Sequence, residues 1–361
     1  MSQNSPVSID DLSDSFLTQI LRQTGAISKS SVAGHEIVNL PEPGQTTDMA
    51  FIALSYDEAE ADAPSRLTAK FAVAHPEALA FSKDLGIYER EVGFYQKIGK
   101  DAGVPVPGCY YGEHDEASGD FLLLLEDLTG NLEGNFVTPD MEMVDSLVIY
   151  SAKMHSRWWQ SKSLNQYPWL NTARRIQQLT QRCLSTADTF LEKMGEYLNP
   201  YFLRITDAII ANPRAMDHTC KGPLTLFHGD LHVKNAFFAS NGHPIFIDWQ
   251  FAGVGNPTID IIRPFVTVPT EDQEGIPDLL RRYLEELHAG GVTDYSMAQL
   301  KEDIIVGLLY SWALEMPALA ETDVGILDDI CRSNNSSLTD VYGRMGDLGE
   351  RFGMAEFIEK Y

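Results

Sequence analysis

The sequence predicts an α+β protein in two parts, a smaller N-terminal part of strands and helices and a larger part that is mostly helical. Two short apolar runs, 67–73 and 121–125, have the pattern of strands. After residue 130, apolar residues recur mainly at helical spacing. A chain of 361 residues suits about two domains. We therefore expect an N-terminal domain over 1–129 and a C-terminal domain over 130–361.

The N-terminal part begins with an amphipathic helix over 9–21. This segment lacks the basic start and the long apolar run of a signal peptide. No stretch of the chain approaches the roughly twenty apolar residues of a membrane span. The four cysteines have no paired spacing, which favours reduced thiols. We expect a cytoplasmic protein with no membrane partner.

The strand over 67–73 carries a single basic residue. Alternation places Leu67, Ala69 and Phe71 on one face and Lys70 on the opposite face. A lysine in this position is either exposed to solvent or paired with a buried acid. The pattern of the strand does not distinguish these two alternatives.

The helix over 87–98 provides such an acid. Its apolar residues share one stripe, and Glu91 lies on that stripe, one turn from Ile87 and one turn from Tyr95. Because an unpaired buried charge is expensive, Glu91 requires a cationic partner. We expect an ion pair between Glu91 and Lys70.

The buried strand over 121–125 is followed by a polar link over 126–130 that ends in glycine. This link is where we expect the first domain to end. The helical stretches expected beyond it cover 140–159, 171–211, 272–289, 297–316 and 323–352. A short hairpin interrupts them.

The hairpin and the loop before it contain the most informative residues of the chain. Residues 228–235 read HGDLHVKN and residues 245–250 read IFIDWQ, with an Asn-Gly turn signal between two short strands. We expect the returning strand to cover 244–249. Asp230, followed after four residues by Asn235 and later by Asp248, matches the catalytic loop and metal-binding aspartate of phosphoryl-transfer enzymes.

The chemistry of phosphoryl transfer assigns a role to each of these residues. Asp230 would accept or orient the proton of the attacking hydroxyl, while Asn235 and Asp248 would supply oxygen ligands for Mg²⁺. We therefore expect ATP and Mg²⁺ as ligands and a small-molecule hydroxyl compound as the acceptor. A turn or cap role accounts for each residue taken singly. A metal site of His228, Asp230 and His232, as in metallophosphoesterases, would need further His and Asp clusters, and the other histidines are scattered.

The two motifs resemble the aminoglycoside phosphotransferase and choline kinase superfamily. The sequence HGDLHVKN…FIDWQ looks most like the ecdysteroid-kinase-like (CHK-like) branch of this superfamily. Many antibiotic-phosphorylating members have Pro-Gly in place of Val233-Lys234, and Gln250 also favours that branch. The resemblance implies a bilobal protein-kinase-like fold. Its small N-terminal lobe would hold an antiparallel sheet plus a helix, and its larger C-terminal lobe would be mostly helical.

The resemblance also implies where ATP binds. Lys70, held by Glu91, would contact the phosphates, and the carbonyl of Glu126 with the amide of Leu128 would bind adenine. The loop expected to cover the phosphates has no G-x-G-x-x-G pattern. Its candidate residues are Gly44, Gln45 and Thr46, whose amides would face phosphate.

Contacts with the acceptor are the least determined part of the site. Candidate acceptor residues are His155, Trp158, Trp249 and Trp312, with Glu315 near the last of these. Core packing is the alternative role for the aromatic residues. Asp260 matches a family aspartate that braces the catalytic loop, with a helix cap as the alternative.

Several functions of different classes stay open at this point. A choline, ethanolamine or aminoglycoside kinase and a pseudokinase without catalysis are alternatives, whereas the lack of an Ala-Pro-Glu segment after Asp248 disfavours a protein kinase. The 27 basic and 52 acidic residues, a net charge of −25, argue against a nucleic-acid partner. The same charge suits a cationic substrate or reflects solubility alone.

Overall fold

The computed structural model describes residues 5–39, 46–129, 141–266, 274–333 and 336–361. Its contacts divide the chain into two compact units. The first unit consists of Met1–Gly134, Phe237–Ser240 and Ile245–Phe251. The second consists of Asn135–Ala236, Asn241–Pro244 and Ala252–Tyr361. The hairpin expected around residue 241 therefore contributes residues to both units.

A five-stranded antiparallel sheet forms the centre of the first unit, in the order β1-β2-β3-β5-β4. Its strands are β1 (Val32–Asn39), β2 (Thr47–Tyr56), β3 (Arg66–Ala72), β4 (Cys109–His114) and β5 (Phe121–Glu126). The helices of this unit are α1 (Asp14–Thr24), α2 (Pro76–Leu85) and α3 (Ile87–Lys97), with 3-10 turns at Ile9–Asp11 and Gly99–Asp101.

Helix α1 packs on one face of this sheet. Its residues Leu17, Ile20 and Leu21 share a buried cluster with Ala69 and Phe71 of β3. The α-helix begins at Asp14 rather than at residue 9, because the Ser13 hydroxyl caps it by accepting the N–H of Phe16. The alternation predicted for β3 is confirmed, since its apolar side chains lie on the α1 face.

The second unit is mostly helical. Its helices are α4 (Met141–Trp158), α5 (Thr172–Met194), α6 (Pro200–Ala211), α7 (Thr258–Val266), α8 (Ile276–Ala289), α9 (Met297–Glu321), α10 (Val324–Ser333), α11 (Leu338–Arg351) and α12 (Met354–Ile358). Short 3-10 segments lie at Lys162–Gln166, Pro168–Leu170, Gly195–Tyr197, Pro213–Cys220 and Val233–Asn235. The antiparallel sheet of the first unit and the helices of the second confirm the predicted α+β class.

Four short strands accompany these helices. The strand β6 (Thr225–Phe227) pairs with β9 (Gly253–Gly255), and β7 (Ala236–Phe238) pairs with β8 (Pro244–Phe246). The returning strand ends at Phe246 rather than at residue 249, because Asp248 has a left-handed φ of 63° and a 3-10 turn follows at Trp249–Phe251. The expected alternation therefore stops before Asp248.

The predicted helical stretch 323–352 is two helices in the structure, α10 and α11, and the predicted stretch 171–211 is also two helices, α5 and α6. Helix α6 begins anew at Pro200, where the side chain of Asn199 accepts the N–H of Phe202. Proline suits the first helical position because it lacks the N–H that would be unpaired there. The cap and the proline together explain the break before α6.

Helix α9 is the one described helix that is long and apolar enough to cross a membrane by length and composition alone. No stretch of this kind was expected from the sequence. In the structure 78% of its most apolar window is buried, and it packs against α5 and α7. Burial among helices accounts for its composition.

Candidate active site

Three charged residues meet in the first unit. Lys70 Nζ lies 2.6 Å from Glu91 Oε1 and 2.8 Å from Asp248 Oδ1. The strand β3 directs Lys70 away from the α1 cluster, and the buried stripe of α3 presents Glu91, whose side chain is fully buried. The predicted ion pair between Lys70 and Glu91 is confirmed.

The two carboxylates hold Lys70 as a cation. Burial by itself lowers the pKa of Lys70, but the charges of Asp248 and Glu91 outweigh it and place the pKa above its ordinary value. Burial raises the pKa of Glu91, against the attraction of Lys70. Among the described residues, Glu91 Oε2 has no hydrogen-bond partner. Lys70 is thus a charged group fixed from two sides.

Asp248 is the exposed member of this cluster. Its side chain is 27% exposed, its Oδ1 accepts from Lys70 and its Oδ2 accepts from Gln250 Nε2 at 3.2 Å. A carboxylate oxygen has capacity for more than one partner, so both oxygens remain able to bind a cation.

Trp249 is a core residue, and the expectation that it contacts an acceptor is wrong. Its side chain is fully buried, and its ring stacks on Phe94 with centroids 3.7 Å apart. Its indole N–H donates to the carbonyl of Phe246 at 3.2 Å. The tryptophan anchors the segment that carries Asp248 to helix α3.

The residues expected around the nucleotide base lie at the end of β5. Glu126 is the last residue of that strand, and its carboxylate accepts the N–H of Gly108 at 3.0 Å, while Leu128 is buried. Their contacts with adenine stay a prediction. Of the phosphate-loop candidates, Thr46 directly precedes β2, whereas Gly44 and Gln45 lie outside the described residues.

Asp230 and Asn235 meet in the second unit. The amide Nδ2 of Asn235 donates to the carbonyl of Asp230 at 2.8 Å and reaches its Oδ2 at 3.3 Å. Gly229 precedes them with a φ of 90°, a conformation that favours glycine. The loop therefore presents Asp230 with its side chain beside that of Asn235.

Arg263 is a site residue that the sequence analysis missed. Its Nε donates to Asp230 Oδ1 at 2.8 Å, and its Nη1 lies 2.5 Å from Glu315 Oε1. Burial alone raises the pKa of Asp230, but Arg263 and then His232 outweigh burial and hold the pKa below its ordinary value. Arg263 lies in the apolar segment TIDIIRPFV, so the reasoning applied to Glu91 would have indicated a buried partner for it.

Asp260 braces the backbone of the loop over 228–235, as the family resemblance implied. Its two carboxylate oxygens accept the N–H groups of His228 at 2.7 Å and Gly229 at 2.9 Å. The cap of this helix is instead Asn256, whose Oδ1 accepts the N–H of Thr258. The brace holds the backbone just before Asp230.

The structure places two other acceptor candidates in the core. His155 is fully buried between Tyr283 Oη, 2.8 Å from its Nδ1, and Asp260 Oδ2, 3.3 Å from its Nε2. Trp312 on α9 is 1% exposed. Acceptor contacts by these two side chains are wrong predictions, because other side chains cover them. Trp158 is half-buried at the end of α4, and its contact with an acceptor stays a prediction.

The oxygen donors of these residues fit Mg²⁺ rather than a transition metal. Both described bonds of the Asn235 side chain use its nitrogen, which leaves the carbonyl oxygen as a hard ligand like the Asp248 carboxylate. Among the described residues, no group of three or more His, Cys, Asp and Glu side chains is placed to hold a metal ion. His228 is fully buried, and its Nδ1 accepts the N–H of Asp230. The alternative of a His-Asp-His metal site is therefore wrong.

A family model and several solved structures are similar to this chain. A family model described as phosphotransferase enzyme family matches residues 76–295. The fold is similar to that of Plasmodium vivax ethanolamine kinase, with a TM-score of 0.53, 11% identity and coverage of 100% of this chain and 93% of that one. This likeness shows the predicted kinase-like fold.

Two further solved structures are similar at lower scores. Choline kinase from Cryptosporidium parvum Iowa II has a TM-score of 0.48 and 11% identity, with 96% of each chain covered. Aminoglycoside-3'-phosphotransferase of type VIII has a TM-score of 0.46 and 16% identity, with 82% of this chain and 98% of that chain covered. A sequence comparison with curated proteins finds no match.

Proposed function

Because the chain belongs to the phosphotransferase enzyme family, we propose that it transfers the γ-phosphate of ATP to a hydroxyl group of a small molecule. The observation that carries this proposal is the fixed ammonium group of Lys70, 2.6 Å from Glu91 and 2.8 Å from Asp248. A lysine held by a helix glutamate next to a metal-binding aspartate is the arrangement that kinases use to position ATP.

Each charged residue then has one task. Lys70 binds the α and β phosphates, and Glu91 keeps its ammonium group in place. Asp248 and Asn235 are the residues that would hold Mg²⁺, which when bound neutralises charge on the phosphate oxygens. Asp230 accepts a hydrogen bond from the acceptor hydroxyl and aligns it for direct in-line attack, without a covalent enzyme intermediate. The brace by Asp260 limits the movement of Asp230.

We also propose a class of acceptor for this reaction. Val233-Lys234 and Gln250 support the ecdysteroid-kinase-like branch and therefore an alcohol that is not an aminoglycoside. Choline, ethanolamine and aminoglycosides are the alternatives within the same reaction type. A pseudokinase that binds a nucleotide without transfer is the alternative outside it.

A transfer assay with γ-labelled ATP and Mg²⁺ tests the proposal. The acceptors offered are sterols, sugars, amino alcohols and aminoglycosides, each alone. We expect transfer to at least one class, and we expect Asp230→Asn to lower kcat by roughly 10²-fold or more, as for loss of a positioned acid-base group. Thermal unfolding of the variant serves as the folding control.

Two outcomes would count against the proposal in different ways. A folded protein that binds the ATP analogue AMP-PNP and transfers to no acceptor supports the pseudokinase alternative. Near wild-type turnover in the Asp230→Asn variant would contradict the role of Asp230 alone.

A further inference from the structure

A chain of hydrogen bonds in the first unit ends on Asp248. The hydroxyl of Thr46 donates to Gln250 Oε1 at 2.8 Å, and Gln250 Nε2 donates to Asp248 Oδ2 at 3.2 Å. Thr46 and Gln250 are each 8% exposed, so the contact between them is buried, whereas the contact of Gln250 with Asp248 is partly exposed. A side-chain amide buried in this way is costly unless both of its ends are satisfied.

The far end of this chain is anchored to helix α3. The backbone carbonyl of Thr46 accepts the hydroxyl of Tyr88 at 2.7 Å, and the same hydroxyl accepts the N–H of Val73 at 3.1 Å. Thr46 is therefore held by its backbone while its side chain contacts Gln250. The anchor makes the position of Gln250 depend on the sheet and on α3.

The chemistry of the groups determines which way the Gln250 amide points. An ionised carboxylate only accepts hydrogen bonds, so the NH₂ end of Gln250 must face Asp248. The carbonyl end then faces Thr46, whose hydroxyl is able to donate. A substitution of Thr46 therefore affects the position of the Gln250 NH₂ group that donates to Asp248. Thr46 acts through Gln250 in this arrangement.

The backbone of Asp248 needs this support. Its φ of 63° lies in the left-handed region, where a residue other than glycine is strained unless its surroundings hold it. Gln250 holds Oδ2 and Lys70 holds Oδ1, so each carboxylate oxygen has one fixed donor. Together the two donors set the plane of the carboxylate.

We propose that Gln250 is a positioning residue that, with Thr46, holds the Asp248 carboxylate in the orientation that binds Mg²⁺. The inference rests on the proposed function, in which Asp248 is a magnesium ligand. Residues that orient a metal-binding side chain typically contribute about 10–100-fold to metal affinity. Among the described residues, Gln250 fits that task for Asp248 Oδ2, as Lys70 does for Oδ1.

The test measures how the binding of AMP-PNP depends on Mg²⁺, by titration calorimetry at Mg²⁺ concentrations from zero upward. Gln250→Met keeps the side-chain volume and removes both hydrogen bonds. We expect it to weaken the apparent Mg²⁺ affinity by about 10–100-fold and to leave Mg²⁺-free nucleotide binding unchanged. Gln23→Met, the same change at an exposed position of α1, is the matched control and should bind like the wild type.

Thr46→Val tests whether Thr46 acts through Gln250. It removes one hydroxyl with little change of shape, so it is also the variant to measure if Gln250→Met does not fold. We expect a smaller loss of Mg²⁺ affinity, and we expect the double variant to match Gln250→Met, because residues that act as one unit are not additive. Additive losses would show that Thr46 acts separately and would overturn its part in the proposal.

The remaining outcomes separate this inference from the proposed function. Wild-type Mg²⁺ affinity in folded Gln250→Met overturns the positioning role while leaving the kinase proposal intact. An equal loss of nucleotide binding with and without Mg²⁺ also overturns it, because the effect would not act through the metal. If the nucleotide affinity of the wild-type protein does not depend on Mg²⁺, the result contradicts the role of Asp248 as a magnesium ligand and therefore the proposed function.

Discussion

Lys70 has two acidic partners in different surroundings. Glu91 is fully buried, whereas the Asp248 side chain is 27% exposed. Glu91 therefore depends on Lys70 for its only described ion pair in a buried position, while Asp248 keeps access to solvent. The same lysine thus supports the fold through Glu91 and serves the site beside Asp248.

Replacing Lys70 should reveal both tasks. Lys70→Met leaves Glu91 buried without a cation, a change that costs about 3–5 kcal/mol of unfolding free energy. Burial already raises the pKa of Glu91, and loss of Lys70 raises it further. Below that raised pKa the folded protein holds Glu91 protonated and avoids the cost. Urea denaturation should therefore show a larger loss at pH 8 than at pH 5.

A double variant separates stability from binding. Lys70→Met with Glu91→Leu removes both charges, so we expect much of the stability to return. AMP-PNP binding should stay weak, because the cation for the phosphates is still missing. Equal stability of Lys70→Met and the wild type at both pH values would contradict this account.

At the scale of elements, helices α7 and α9 bring Arg263 and Glu315 to Asp230. The Arg263 side chain is 12% exposed and the Glu315 side chain 19% exposed, so water screens this group only partly. Arg263 has an acid on each side, which leaves Asp230 Oδ1 engaged and its Oδ2 beside Asn235. In the proposed reaction, the two helices thereby leave Oδ2 as the oxygen of Asp230 that would meet the acceptor hydroxyl.

Arg263→Gln should change the pH dependence of the reaction. In the proposed reaction Asp230 must be ionised to accept the hydroxyl, so we expect activity to be lost as the pH falls through the pKa of Asp230. Without Arg263, His232 alone of the two named groups still opposes the effect of burial, so the pKa of Asp230 rises. The acid limb of kcat/KM should therefore move up by about 1–3 pH units, the range for loss of a nearby opposite charge.

A matched arginine provides the control for this measurement. Arg182→Gln removes an arginine of α5 whose ion pair with Glu321 of α9, at 2.8 Å, is partly exposed. Its pH profile should coincide with that of the wild type. An unchanged acid limb in Arg263→Gln would show that other groups keep Asp230 ionised.

At the scale of the whole molecule, the net charge of −25 is the dominant electrostatic feature. Exposed ion pairs such as Arg204 with Glu356 and Glu359 contribute little individually. Repulsion among the excess carboxylates acts over the whole surface and opposes the compact state. Added salt screens both this repulsion and the surface ion pairs. Because the repulsion is the larger of the two effects, we expect its screening to outweigh the weakening of the ion pairs.

Salt should accordingly stabilise the protein. We expect the free energy of unfolding at pH 8 to rise between about 0.02 and 0.5 M NaCl, as the screening length shortens from roughly 20 Å to a few ångström. The rise should shrink near pH 4, where many carboxylates are protonated. Thermal or urea unfolding measures it, and stability that falls with salt at pH 8 would show that the ion pairs dominate.

The local elements of the site were predictable, whereas several of its contacts were not. The alternation of β3 and the stripe of α3 placed Lys70 and Glu91 correctly, and each follows from a repeat within about ten residues. Trp249 and Trp312 were misassigned to the acceptor site. An aromatic residue near a motif has the same local pattern whether it packs in the core or lines a cleft.

The sequence by itself determined the class of fold, the spacing of Asp230 and Asn235, and the need of Glu91 for a cation. Only the tertiary structure decided that Arg263 meets Asp230, that His155 meets Asp260 and that Thr46 meets Gln250, across 33, 105 and 204 residues of chain. Helical and strand periods specify which face of an element is buried. The partner that a buried polar group finds there depends on how distant elements pack, and no local period encodes that.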